Sequence, residues 1–156
     1  MIGVVIGLHL LLGVVHTAPQ ELSAQESRFV GCYVLTMSPW RPEGASDPSF
    51  VVPQKVELTR RSGTESEAFG ASSLTDWRIL RAFGGAEETD HPWKLWRLDP
   101  KGHVELQWSS GFSGVSMELR ERHGLLYGIA ETFTDTSQEE HVADVEAKRV
   151  SCGTGR

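Results

Sequence analysis

The sequence predicts an all-β fold, an eight-stranded antiparallel up-and-down barrel. Three observations predict it. Short runs rich in Val, Leu, Trp and Phe recur along the chain, separated by clusters of Gly, Pro, Ser and Asp. No window after the N-terminal apolar stretch carries a helical period. Cys32 opens the first run and Cys152 follows the last, so a single disulfide would tie the two ends of one domain together. Regular spacing of this kind belongs to sandwiches and barrels. An even strand count lays the first and last strands of a barrel side by side and antiparallel.

The chain opens on Ile2–Val15, apolar except for His9. This run is shorter than the roughly 20 residues a spanning helix needs. Followed by a polar stretch with small residues, it reads as a signal-peptide core, although no basic residue precedes Ile2. The expected cleavage is after Ala24, in Leu22-Ser23-Ala24-Gln25. That assigns 1–24 to a signal peptide and 25–156 to one β-barrel domain, in a secreted or periplasmic protein with no transmembrane domain. Phe29-Val30-Gly31-Cys32 has part of a lipobox, but Glu21, Glu26 and Arg28 separate it from the apolar core. A lipidation signal is read with its flanks, so none is expected here.

The eight strands are expected at 29–37, 52–60, 77–83, 93–98, 103–109, 114–121, 124–133 and 141–150. In the first, Tyr33, Leu35 and Met37 share one face. Asp99-Pro100-Lys101-Gly102 reads as a type I turn that pairs Leu98 with His103. Trp93 then faces Trp108, Leu95 faces Leu106, and Trp96 lies on the outer side. A hairpin near His123-Gly124 sets Val115, Met117 and Leu119 opposite Leu126, Gly128 and Ala130. Pairing Cys32 with Cys152 puts Leu35 opposite Arg149, with both cysteines outward and Tyr33, Leu35 and Ala147 inward. Two long loops, Ser38–Phe50 with three prolines and the Ser-rich Arg61–Asp76, are candidates for function or mobility.

Composition excludes some classes. The chain carries 15 basic and 21 acidic residues, net −6. Removing residues 1–24 loses only Glu21, leaving −5. Nucleic-acid binding, which needs a basic patch, is not expected. Gly111-Phe112-Ser113-Gly114-Val115 resembles a nucleophile elbow, but Val115 stands where the motif needs Gly, and the context is strand to strand. His91, His103, His123 and His141 form no metal spacing. His103 and Glu105 share a strand face, but a site needs a third ligand. Glu87, Glu88 and Asp90 read as a solvated loop, because calcium needs more oxygens at ordered spacing. The expectation is a protein that is not an enzyme, carries no cofactor and is monomeric.

Gly31-Cys32-Tyr33 resembles the lipocalin G-x-W signature with Tyr for Trp, and Arg149 resembles the lipocalin arginine that packs across that ring. Thr134-Asp135 faintly resembles the second lipocalin motif, without its aromatic. With the strand count, this makes the chain similar to the lipocalin and calycin group; the shorter avidin-like barrels are equally compatible. The resemblance implies a barrel holding one small hydrophobic molecule. Tyr33, Met37, Trp93, Trp108, Met117 and Ala130 are the candidate lining residues, and Trp40 a candidate lid. Inward Gly128, Ala130, Ala143 and Ala147 are expected to leave room. The alternative is an interaction module that binds protein or glycan through the Trp40 loop and an outward Trp96.

Overall fold

A computed structural model describes residues 22–41, 52–62, 76–83, 93–109, 113–134 and 141–153. The apolar run 2–15, most of the two long loops, His91, the Glu87–Asp90 cluster, Gly111-Phe112 and Asp135 lie outside these residues, as does the side chain of Trp93. Alternation of apolar and polar residues makes the strands. Where apolar and polar residues alternate one by one, the extended backbone of period two turns all the apolar ones to the core. The strands are β1 (Gly31–Met37), β2 (Lys55–Ser62), β3 (Arg78–Phe83), β4 (Trp93–Leu98), β5 (Val104–Ser109), β6 (Ser113–Arg122), β7 (Leu125–Thr134) and β8 (Val142–Val150). They pair antiparallel in chain order, and β8 returns to β1 to close the barrel. One turn of helix, α1 (Ala24–Ser27), precedes β1. No helix among the described residues is long and apolar enough to cross a membrane.

Two turns set the registers. At His123-Gly124 both residues have positive φ, 54° and 78°, and Arg122 pairs with Leu125. This is the two-residue type I′ hairpin whose twist matches the flanking strands. Met117 then meets Ala130 and Leu119 meets Gly128, as the alternation predicts. The β4–β5 turn differs from the expectation by one residue. Asp99 N–H donates to His103 O, and Gly102 N–H donates to Asp99 O, at 2.9 Å each. Gly102 sits at φ 85°. The loop therefore has three residues, Pro100-Lys101-Gly102, with the glycine in the left-handed bulge position. Leu98 consequently pairs with Val104, Trp96 with Leu106, and Lys94 with Trp108.

A one-residue slip exchanges the two faces of a strand. Trp96 is inward and 0% exposed, its Nε1 donating to Thr59 O at 3.0 Å. Leu95 is outward, where it packs with Trp77 and Ile79. The β1–β8 register also differs, by two residues. Leu35 meets Ala147, and Arg149 meets Tyr33. A shift of two preserves parity, so Tyr33, Leu35 and Ala147 face inward as expected. Cys32 pairs with Val150, and Cys152 reaches it from beyond the strand end to form the disulfide, with Cα atoms 5.0 Å apart.

The core is the barrel interior. Tyr33, Leu35, Val56, Leu58, Leu80, Trp96, Leu106, Trp108, Met117 and Leu119 form one buried cluster with Ala130, Val145 and Ala147. Each fully buried large side chain contributes roughly 1.5–3 kcal/mol.

Candidate functional site

The two ends of the barrel are built differently. Among the described residues, the chain entering β1 packs on the interior at one end: Phe29 is in the core, and Leu22 and Val30 lie against it. Ser23 and Glu26 cap α1 reciprocally: Ser23 Oγ accepts from Glu26 N–H at 3.1 Å, and the Glu26 carboxylate accepts from Ser23 N–H at 2.8 Å. Cleavage after Ala24 would remove the Ser23 half of this cap. Glu26 also lies 3.8 Å from Arg78, an inward arginine only 1% exposed that donates to Ser62 Oγ at 3.0 Å. Phe29 is buried in the core cluster.

Tyr33 belongs to this covered end. Its hydroxyl donates to Phe29 O at 2.9 Å. Arg149 crosses it with Cζ 5.7 Å from the ring centre, donating to Arg28 O at 2.8 Å and to Val30 O. Burial pushes the Tyr33 phenol above its usual range, Arg149 opposes the shift, and Glu121 adds to it. The Tyr–Arg pair thus locks the entry to β1, and Tyr33 stands apart from the other candidate lining residues.

The far end gathers most of the remaining candidates. Met37 ends β1 there, and Trp40 follows it; both are half-buried and pack on the core with Val52. Below them lie Trp108, Met117 and Ala130, on the inner faces of β5, β6 and β7. Trp93 opens β4 at this end opposite Ser109, but the one-residue slip gives this position the outward parity of Leu95 rather than the inward one expected. Ala130 pairs directly with Ala143, which gives the β7–β8 wall small side chains. The expected space at this level is filled, however. Ala130, Ala143 and Val115 are 0% exposed, and Met117 is 2%. Large side chains of β4–β6 occupy the volume that the small ones leave. Gly128 has a different reason for being small. A Cβ there would lie 1.8 Å from the Glu118 carbonyl oxygen, so the glycine permits close backbone approach.

Sequence reasoning missed several polar groups on the inner wall at the far end. Thr132 and His141 are buried and paired: Thr132 N–H donates to His141 O at 2.9 Å, and His141 N–H donates to Thr132 Oγ1 at 3.1 Å. Lys94 is half-buried opposite Trp108. Trp108 Nε1 and His141 Nε2 are buried without a hydrogen-bond partner among the described residues. His141 reads as a strand end in the sequence, yet it continues the parity of Ala143 and Val145. That parity was the available signal.

The other constellations separate. His103 Nδ1 lies 2.9 Å from Glu118 and 3.3 Å from Asp99, while Glu105 pairs with Arg97, so His103 and Glu105 do not form a ligand pair. Desolvation pushes the Asp99 carboxyl up, but backbone N–H donors from His103 and Lys101, with the charges of the same residues, outweigh it and hold the group below its usual range. Ser113 begins β6 in a strand-to-strand context. Cys32, Glu57 and Cys152 bring three potential ligand atoms within 4.8 Å of one another, but the two sulfurs are bonded together and cannot act as thiolates. Outside the barrel, a groove of about 430 Å³ crosses β4–β7, with Arg97 Cζ 4.5 Å from the Trp77 ring centre at one side and Phe133 at the other. Because Trp96 is buried and Trp40 packs on the core, the two form no shared outer surface.

The sequence matches no known family profile, and searches of curated proteins and of solved structures also found no match.

Proposed function

We propose that this chain is an exported, non-enzymatic binding protein that takes a small hydrophobic molecule at the far end of the barrel. The observation that carries the reading is the asymmetry of the ends. Among the described residues, one is closed by the buried Phe29 and the Tyr33–Arg149 lock. The other presents the half-buried apolar side chains of Met37, Trp40 and Val52 above a floor of Trp108, Met117 and Ala130. Closed eight-stranded barrels accommodate one small ligand in this arrangement. The filled middle of the barrel confines the site to that end. The disulfide supports an oxidising compartment, where such bonds persist.

Native mass spectrometry of the protein purified from an exporting host tests the reading. A discrete small mass lost on unfolding is expected. A bare protein mass that persists after incubation with lipid and pigment extracts would refute it.

A further inference from the structure

One row of residues crosses the inner wall of the far end. Lys94 pairs with Trp108, Trp108 with Val115, and Val115 with Thr132; Thr132 is bonded to His141. Four of the five are polar; at the covered end of the barrel the buried Arg78 is already met by Ser62 and Glu26. Three of the four can each give a hydrogen bond outright, and the His141 imidazole gives one from Nε2 in the tautomer that carries its proton there. An indole N–H can only donate, and an ammonium has no acceptor. The Thr132 oxygen already accepts from His141 N–H, which leaves its own hydroxyl proton free to be given. Trp108, 1% exposed, and His141, 6% exposed, hold nitrogens without a partner among the described residues. A buried donor left unpaired costs about 1–3 kcal/mol, so the row is poised for an acceptor. The row itself contains no carboxylate. Glu131 and Asp144 beside it have the opposite parity, and Asp144 is engaged by Arg41 at 3.1 Å outside the barrel.

We infer that the ligand is an amphipathic anion, its carboxylate-type head received by Trp108 Nε1, His141 Nε2 and Lys94 Nζ. The inference rests on the binding reading above and fixes the ligand's class and orientation. The barrel is packed beneath this row, so the apolar tail cannot run downward. It lies upward against Met37, Trp40 and Val52. Lys94 supplies the counter-charge that a buried carboxylate requires.

Dodecanoate and 1-dodecanol, which share a tail and differ in the head, are the probes. Each is titrated into the intact protein and followed by tryptophan fluorescence and by the indole ¹H–¹⁵N signals. The Trp108 signal is assigned with Trp108→Phe. At least tenfold tighter binding of dodecanoate is expected, with a downfield shift of the Trp108 indole proton. Lys94→Gln should abolish the preference while dodecanol still binds. Equal affinities, or an unmoved Trp108 signal, overturn the inference and leave a site for apolar ligands intact. Failure of both probes to bind overturns the inference and the binding reading together.

Discussion

Reducing the Cys32–Cys152 bond should remove a large part of this protein's stability. The bond closes a loop of 120 residues, nearly the whole domain. The chain-entropy relation assigns a cross-link of that span about 5 kcal/mol, by restricting the unfolded chain. The folded state gains little from it, because the β1–β8 ladder already holds the two ends together from Cys32–Val150 to Met37–Val145. Domains of this size are commonly stable by only about 5–15 kcal/mol, so the loss should be plain. The assay is urea unfolding followed by tryptophan fluorescence, with and without a dithiol reductant. Intact mass should confirm the gain of two hydrogens on reduction. The midpoint should fall and the slope rise, since the reduced unfolded chain exposes more surface. A Cys32→Ala/Cys152→Ala double variant should match the reduced protein and ignore the reductant. A loss below about 1 kcal/mol would refute the argument, because loop length would then not govern the bond's contribution.

Three further outcomes follow from the same structure. The Tyr33 phenol, raised by burial, should ionise above its ordinary 10.0; phenolate absorbance in a Tyr127→Phe background, which leaves Tyr33 as the only tyrosine, reads this directly. Its contribution to stability is complete below pH 10 and is lost as pH rises through the folded value. Asp99 has the opposite sign: its lowered pKa contributes stability above 3.8 that disappears as pH falls through the folded value. Asp99→Asn should flatten this acid limb in a pH series of thermal melts, and an unchanged limb would contradict the assignment. Gly128→Ala should destabilise by about 3 kcal/mol or prevent folding, as overpacking against backbone does; a wild-type melting temperature would show that β6 yields freely.

Most of the fold was legible because period-two alternation is a direct imprint of burial. Strands such as β7 and β8 show it residue by residue. The place of the β6–β7 turn was legible because His123-Gly124 interrupts two alternating runs; its two consecutive positive φ values make it a two-residue type I′ turn. The β4–β5 register was not, because Asp99-Pro100-Lys101-Gly102 serves both a two-residue and a three-residue loop. Only the Asp99–His103 hydrogen bond decides between them, and it moves Trp96 into the core. The β1–β8 offset was hidden for another reason: a disulfide beyond a strand end fixes parity without fixing register. Parity and size placed Met37, Trp108, Met117 and Ala130 on the inner face, where they lie in or against the core. Lys94, Thr132 and His141 were missed because a polar residue near a strand end reads as solvent-facing. Arg78 was missed likewise, since its burial depends on Glu26, which reaches it from α1.

The closure of β8 onto β1 also bears on how the chain reaches this state. Seven of the eight pairings join sequence neighbours and can form locally, starting from tight hairpins such as β6–β7. The eighth joins the first strand to the last and closes the longest loop of the eight. It is the high-contact-order step, and such steps set the pace of β-rich folding. Until it occurs, β1 and β8 each present an unpaired edge to other chains. Oxidation of Cys32 and Cys152 needs the two ends to meet but not the β1–β8 ladder to form. An exported chain that meets its oxidant early would hold its ends together through the slow step and shorten the time its edges stay open.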